Sequence, residues 1–383
     1  MKALATWSTT DAGVLVDRLD QLVAHETPPG SIPHLTACAD LLADWGTRIL
    51  GREPRHVRTD GLPHLLWEAQ DQRVLIVGHF DTVWPAGTLA DWPFEVRGTI
   101  ATGPGVCDMK SGIVQALAAL SAVPDPSSVG LLLTCDEESG SALSRPLIEQ
   151  QARRSGAVLV CEPSTPEGAL KIARKGGSAY RLTALGRAAH AGVEPHRGVN
   201  ATVEIAHQAL AVQAFADDGA ATSVTPTVLT SGTTSNTVPE SATLSIDVRA
   251  WSGAELERVD RLIRGLSTRL DGARLEVGGG VNRYPLAPET ALPLFEVALK
   301  AAADLGITLP DGAYAPGASD ANFTAAVGTP TLDGLGGVGG GSHARGEYVD
   351  VARMPERAAL LGRLVERLVA RRPTSGGEPR AAA

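Results

Sequence analysis

Three short apolar runs in the first half of the chain end at side chains that can bind a metal or move a proton. We call each place where such a run meets these side chains a junction. At the first junction, Val74–Gly78 is followed by His79 and Asp81. At the second, Val129–Thr134 is followed by Asp136, Glu137 and Glu138, and at the third, Ala157–Val160 is followed by Glu162. Open α/β sheets bind ligands beyond the carboxyl ends of their strands. Adjacent acids at the end of a buried strand are unfavourable unless cations are present. Any one junction fits a solvated loop, but three together favour a ligand site.

Asp108 and His343 are two further candidates, and both lie among glycines. Asp108 stands within Gly103–Gly112, and His343 follows Gly339-Gly340-Gly341. Taken alone, Asp108 is best explained as a cap for a helix that begins near Ser111. A histidine after a glycine run can be held by backbone alone and reach into a cleft.

These side chains together make a nitrogen and oxygen ligand set that requires no thiolate. Such a set suits zinc, cobalt or manganese in a paired hydrolase site with metals about 3.5–4 Å apart. An acid next to a ligand acid is placed to act as a general base. The segment Gly334–Gly339 also reads G-x-G-x-x-G. No helix is predicted to follow it, which argues against a dinucleotide site and a nicotinamide oxidoreductase.

The predicted helices and strands that must position these residues follow one pattern in the first part of the chain and a different pattern in the next. Helices are predicted at 13–25, 35–50, 111–122 and 141–155, and they alternate with the apolar runs as in an α/β core. The next segment predicts strands at 179–185, 224–229, 243–248 and 273–277 with helices at 200–216 and 255–270. Helices follow at 290–305, 320–327 and 355–371. The simplest organisation is an α/β domain of residues 1–175 and 281–372, an α+β domain of residues 176–280 inserted into it, and a disordered tail at 373–383.

Composition narrows the class of protein. The 383 residues carry a formal charge of −9, which argues against a nucleic-acid binder with a basic surface. No apolar run reaches the roughly 20 residues that a membrane span needs. The four cysteines, Cys38, Cys107, Cys135 and Cys161, do not suggest a disulfide framework in a chain of this length. We therefore expect a cytoplasmic protein.

The ordered motifs resemble those of the M20 family of dinuclear zinc peptidases and deacylases, and most closely its glutamate carboxypeptidase branch. They are His79–Val83, Gly103–Gly112, Asp136–Ser141, Cys161–Ser164, His343, Ala189–Gly192, Ser235–Pro239 and Asp247–Arg249. The resemblance runs from about residue 13 to residue 371. It implies a zinc-peptidase-like catalytic domain, with a mixed sheet between helices, and an inserted lid and dimerisation domain of two helices on a four-stranded sheet.

The resemblance also implies a role for each candidate residue. His79 and Glu162 would bind one zinc, and Glu138 and His343 would bind the other. Asp108 would bridge the two zinc ions, and a cis peptide would join it to Met109. Asp81 would orient His79, and Glu137 would be the general base. His190 and Asn236 would stabilise the oxyanion in the partner subunit of a homodimer, and Arg249 would hold the substrate carboxylate. Without the resemblance, these last three residues fit a turn histidine, a turn residue and a solvated strand-end charge.

The implied activity is hydrolysis of the amide between an acyl or aroyl group and a C-terminal amino acid, with glutamate the first candidate. The alternative enzymes are an N-acyl amino-acid deacylase of the acetylornithine or succinyl-diaminopimelate type and a dipeptidase. A remote alternative is a metal-binding protein without catalysis. The expected substrate is a small N-acyl amino acid or short peptide, with neither nucleic acid nor membrane as a partner.

Overall fold

The computed structural model describes residues 7–370, so the predicted tail at 373–383 lies outside the described residues. Its helices are α1 (Ala12–Val23), α2 (Ile32–Leu50), α3 (Thr88–Asp91), α4 (Ser111–Ala122), α5 (Arg145–Arg153), α6 (Ala201–Gln213), α7 (Gly253–Arg264), α8 (Pro288–Asp304), α9 (Asp320–Ala326) and α10 (Met354–Ala370). Its strands are β1 (Arg55–Thr59), β2 (Leu62–Trp67), β3 (Val74–His79), β4 (Glu95–Arg97), β5 (Ile100–Thr102), β6 (Val129–Thr134), β7 (Ala157–Val160), β8 (Lys171–Arg174), β9 (Gly176–Leu185), β10 (Ala189–His190), β11 (Ser223–Ser231), β12 (Thr237–Val238), β13 (Ser241–Ala250), β14 (Arg274–Arg283), β15 (Ala313–Ala315), β16 (Thr331–Leu332), β17 (Gly339–Gly340) and β18 (Tyr348–Asp350).

The chain divides into two compact units. The first runs up to Ile172 and also takes in Glu289–Ala313 and the chain from Val327 onward, whereas the second consists of Ala173–Pro288 and Tyr314–Ala326. The second unit is longer than the predicted 176–280, and it includes α9. The Asn322 side chain in α9 donates hydrogen bonds to the carbonyl oxygens of Lys175 (3.1 Å) and Tyr284 (2.7 Å). These tertiary contacts assign α9 to the second unit, and sequence periodicity carries no sign of them.

A six-stranded mixed sheet forms the centre of the first unit, with strand order β1-β2-β6-β3-β7-β16. Strands β6, β3, β7 and β16 run parallel, and the β1–β2 hairpin extends the sheet antiparallel to β6. Every residue of β2, β3, β6 and β7 is buried, as expected for strands covered on both faces. The predicted α/β core is confirmed, and the hairpin is an addition that the apolar runs did not indicate.

Helix α4 packs against α2, α10 and β3 in the first unit. Its residues Ser111–Leu120 are all buried, because it is apolar on every side. Gly112 in its first turn lies against the residue that follows β7, and a Cβ atom there would collide with the carbonyl oxygen of Cys161. Glycine therefore allows the start of α4 to approach the residue that precedes Glu162.

A second, smaller sheet of the first unit has strand order β17-β18-β5-β4 and is antiparallel throughout. Tyr348 of β18 pairs with Thr102 of β5. Because the two strands are antiparallel, the chain that leaves β5 and the chain that enters β18 lie at the same end of the sheet. This pairing brings the segment after Thr102 beside the segment before Tyr348.

The second unit contains a four-stranded antiparallel sheet of order β11-β13-β9-β14, with helices α6 and α7 packed on it. Strand β13 alternates between buried and more exposed residues, as a sheet with one covered face requires. Its buried side chains pack with Ile205 of α6 and Val259 of α7. The predicted unit of two helices on a four-stranded sheet is confirmed. Within residues 7–370, no helix combines the length and the apolarity of a membrane span.

Candidate metal centre

The parallel strands bring three of the candidate junctions to one edge of the six-stranded sheet. His79 is the last residue of β3, and β3 lies between β6 and β7. The turn Glu137–Ser139 follows β6, and Glu162 follows β7. Parallel neighbours end at the same edge, so these side chains meet there.

Asp108 lies between the two histidines. One carboxylate oxygen of Asp108 is 3.3 Å from His79 Nε2, and the other is 3.6 Å from His343 Nε2. A second carboxylate approaches each imidazole: Glu162 lies 3.5 Å from His79 Nε2, and Glu138 lies 3.0 Å from His343 Nε2. The alternative of Asp108 as a helix cap is wrong, because α4 starts without a side-chain cap bond. The site thus consists of two imidazole–carboxylate groups that share one aspartate.

Asp81 supports both the histidine and the acidic turn. His79 Nδ1 lies 3.1 Å from the backbone carbonyl of Asp81 and 3.5 Å from its carboxylate. The same carboxylate accepts hydrogen bonds from the amides of Glu137 (3.3 Å) and Glu138 (3.0 Å). Asp81 is fully buried, so these contacts are shielded from water. One carboxylate therefore sets the position of the His79 ring and of the turn that carries the two glutamates.

The segment that carries Asp108 is held by Glu347, which the sequence analysis did not identify. The Glu347 carboxylate accepts hydrogen bonds from the amides of Gly105 (3.1 Å), Cys107 (2.8 Å) and Asp108 (2.9 Å). The peptide bond between Asp108 and Met109 is cis. A weak signal for Glu347 existed in the sequence, since it is an acid four residues after His343 and directly before the segment Tyr348–Asp350.

Electrostatics in this cluster follow from burial and from the crowding of carboxylates. Burial alone would lower the pKa of His79, but the carboxylates of Asp108, Asp81 and Glu162 outweigh it and hold the pKa well above its ordinary value. Contact with Glu138 raises the pKa of His343 to about 9. Burial raises the pKa of Glu138. The cluster stabilises positive charge at its centre.

The donor set fits divalent metal ions. One ligand atom from each of His79, Asp108 and Glu138 lies within 4.8 Å of the others. His79 Nε2 and Glu138 Oε1 are buried without a hydrogen-bond partner, which is costly unless another group satisfies them. Imidazole nitrogen and carboxylate oxygen are the ligands that zinc uses together with cysteine sulfur. Cys107, Cys135 and Cys161 are buried, and burial raises the pKa of each thiol, so these side chains pack as small apolar groups.

The remaining candidates belong to the second unit. His190 pairs with Thr237 across β10 and β12, and the carbonyl of Asn236 accepts a hydrogen bond from the amide of Ala191 (2.9 Å). Both His190 and Asn236 are exposed. Arg249 binds the Asp247 carboxylate through Nε (3.0 Å) and through its terminal nitrogen (2.9 Å). His190 and Asn236 are therefore neighbours, and Arg249 already has a carboxylate partner on its own strand.

Comparison with known proteins shows one family over most of the chain. Residues 75–367 match the profile of peptidase family M20/M25/M40. The chain is 30% identical over 374 residues to Carboxypeptidase G2 of Pseudomonas sp. (strain RS-16), with 94% of this chain and 90% of that protein covered. It is 31% identical over 382 residues to a succinyl-diaminopimelate desuccinylase of Paracoccus denitrificans, with 88% and 97% covered.

Solved structures show the same fold. The M20 family metallo-carboxypeptidase Sso-CP2 of Sulfolobus solfataricus superposes with a TM-score of 0.71 at 14% identity, covering 92% of this chain and 99% of that one. Aminopeptidase PepT of Bacillus cereus gives 0.72 at 20% identity, covering 94% and 100%. The sequence matches and the fold agree, and the chain is a metallo-hydrolase that belongs to peptidase family M20/M25/M40.

Proposed function

We propose that this enzyme hydrolyses the amide bond between an acyl or aroyl group and an amino acid that bears a free carboxylate, with glutamate as the first candidate. The observation that carries the proposal is the position of Asp108, whose two oxygens face two imidazoles that each have a further carboxylate beside them. The likeness to a carboxypeptidase over nearly the whole of both chains supports the choice of bond.

Five residues would hold two zinc ions, with cobalt or manganese as substitutes: His79, Asp108, Glu138, Glu162 and His343. Bound ions of this kind supply Lewis acidity toward a carbonyl oxygen and lower the pKa of a water molecule. Glu137 is the proposed general base, which takes a proton from the attacking water and passes it to the leaving amine. The Glu137 amide donates a hydrogen bond to the buried Asp81 carboxylate. This bond holds the backbone at Glu137 in place while the Glu137 carboxylate moves the proton.

Three residues of the second unit would recognise the substrate. His190 and Asn236 would stabilise the oxyanion from the partner subunit of a homodimer, and Arg249 would bind the free carboxylate in two-point fashion. The adjacency of His190 and Asn236 across β10 and β12 supports a shared task. The proposed dimer predicts that a monomeric form, separated by sedimentation, has lost its activity.

The test is the release of free glutamate from an N-aroyl-glutamate by zinc-loaded protein, with a chelator control. Chelator-sensitive release supports both the metal site and the choice of substrate. If folded, zinc-loaded protein releases no glutamate, an N-aroyl-glutamate is refuted as the substrate. The same assay with the D-enantiomer controls for hydrolysis that does not depend on the configuration of the amino acid.

A second candidate is a deacylase that removes a succinyl or acetyl group from an amino acid. It is favoured by the 31% identity to a succinyl-diaminopimelate desuccinylase, 97% of which is covered. The two candidates differ in which side of the amide is recognised. Parallel assays with N-succinyl, N-acetyl and N-aroyl amino acids separate them by kcat/KM. Location in the cytoplasm remains a prediction from cysteine usage.

A further inference from the structure

Glu347 is a buried carboxylate to which the proposed reaction gives no part. Only 1% of the surface of Glu347 is exposed to solvent. One oxygen accepts hydrogen bonds from the amides of Cys107 (2.8 Å) and Asp108 (2.9 Å), and the other accepts from the amide of Gly105 (3.1 Å) and from the indole nitrogen of Trp84 (3.4 Å). Four donors thus converge on one side chain, and three of them are backbone groups of the segment that carries Asp108.

The backbone of Glu347 belongs to the loop that carries His343. The amide of Glu347 donates to the carbonyl of Ala344 (3.1 Å), and the amide of Ala344 donates to the carbonyl of Gly341 (3.0 Å). Two successive turns therefore connect Glu347 to His343. The side chain of Glu347 binds one ligand-bearing loop, while its backbone is part of the other.

This link matters because neither Asp108 nor His343 lies in a long element. Asp108 has non-helical backbone angles within its segment, and His343 has a φ of +65° in a turn. Metal sites require ligand distances within about 0.2 Å of their preferred values, so loops that carry ligands need external support. Hydrogen bonds to an ionised carboxylate are roughly twice as strong as neutral ones. Glu347 supplies such support at the amide of Asp108 itself.

We propose that Glu347 is a positioning residue that joins the Asp108 loop to the His343 loop and preorganises both for metal binding. The inference rests on the proposed function only in taking Asp108 and His343 as metal ligands. The proposed role requires the negative charge and both carboxylate oxygens of Glu347, whereas the size of the side chain alone is not sufficient. The substitution Glu347→Gln separates these properties, because it keeps the size but replaces one acceptor oxygen with an NH₂ donor. Whichever way the amide is turned, that donor faces backbone N–H groups.

The experiment measures Zn²⁺ affinity by competition with a chelating dye, together with the melting temperature of the metal-free protein. We expect Glu347→Gln to weaken zinc binding by about 10- to 100-fold, the range typical of groups that orient ligands. The matched control is Glu204→Gln in the second unit. Glu204 is also fully buried, and it accepts hydrogen bonds from the amides of Arg269 and Leu270 and from the Gln208 side chain. This control should lower the melting temperature and leave zinc affinity unchanged.

Equal zinc affinity in the unmodified protein and in Glu347→Gln overturns the proposal, as does an equal loss of affinity in the Glu204→Gln control. If Glu347→Gln does not fold, amide hydrogen exchange in the metal-free unmodified protein decides instead. Slow exchange at Cys107 and Asp108 is expected, and exchange at the rate of an open loop refutes preorganisation. Zinc affinity is read without any substrate, so a failure to release glutamate refutes the proposed substrate and leaves this inference standing.

Discussion

Replacing Glu137 with glutamine tests which of two adjacent glutamates moves the proton and which binds metal. Glu137 and Glu138 occupy the same short turn, and both of their amides bind the Asp81 carboxylate. Their side chains differ: the Glu138 carboxylate lies 3.0 Å from His343 Nε2 and is only 4% exposed. Glu137→Gln and Glu138→Gln are therefore a matched pair with the same size change and the same backbone support.

The expected magnitudes follow from these positions. A positioned general base contributes about 10²- to 10⁴-fold to the rate, so Glu137→Gln should lower kcat by that factor. At about 1.4 kcal/mol per tenfold change, the loss corresponds to an increase of roughly 3–6 kcal/mol in the activation barrier. The zinc content of Glu137→Gln should equal that of the protein without the substitution, because Glu137 is not among the proposed ligands. Glu138→Gln should instead reduce the zinc content, since it removes a buried carboxylate beside His343.

The assay combines initial rates under saturating substrate with metal analysis of the same dialysed samples. Circular dichroism of each variant confirms that the fold is retained. Unchanged turnover in Glu137→Gln would refute its assignment as the base. Loss of zinc in Glu137→Gln with full retention in Glu138→Gln would show that the two roles are exchanged.

Three further predictions address substrate recognition, stability and pH. Arg249→Gln should lower kcat/KM about 10- to 100-fold for a substrate with a free carboxylate, as expected for loss of a hydrogen bond between charged groups, and the effect should disappear with the methyl ester. Arg357→Met should lower the free energy of unfolding by about 3 kcal/mol or more, because the buried guanidinium donates to the carbonyls of Gly168, Gly334 and Gly336, and each orphaned buried acceptor costs about 1–3 kcal/mol. Arg367 and Arg363 lower the pKa of Asp304 to about 2, so its ion pairs stabilise the fold above the unfolded value of about 3.9 and lose this effect as the pH falls toward 2. The difference in urea midpoint between Asp304→Asn and the unmodified protein should therefore shrink as the pH is lowered through this range.

The predictions for Arg357 and Asp304 each have a control variant in the chain, whereas the control for Arg249→Gln is the ester substrate. For Arg357→Met it is Arg353→Met, which removes a partly exposed pair with Glu356 and should cost less than about 1 kcal/mol. For Asp304→Asn it is Asp44→Asn in the exposed pair with Arg48 on α2. Equal destabilisation by Arg357→Met and Arg353→Met would contradict the role of the buried carbonyl contacts. A urea-midpoint difference for Asp304→Asn that is constant from pH 6 to pH 3 would contradict the assigned ion pairs. An equal loss with acid and ester substrates would contradict carboxylate binding by Arg249.

The sequence by itself determined the elements and the composition of the candidate site. Continuous apolar runs predicted the buried strands β3, β6 and β7, and helical spacing predicted α4 and α10 within a few residues, because burial imposes a period on the chain. Asparagine is also a favoured residue for the start of a helix, and the Asn200 side chain accepts hydrogen bonds from the amides of Thr202 and Val203 at the start of α6. The chemistry of the ligand set was readable because acids and histidines at strand ends are costly without a cation.

Only the tertiary structure decided how those residues are held. The contact of Gly112 with Cys161, the bonds from Asp81 to the acidic turn and the bonds from Glu347 to the Asp108 loop all join residues more than 45 positions apart. The attachment of the β1–β2 hairpin to β6 and the assignment of α9 to the second unit also depend on residues that are distant in the sequence. A periodic pattern reports which face of an element is buried, but it does not report what lies against that face. A single buried acid such as Glu347 has no periodicity, so its importance becomes visible only when the donors around it are in place.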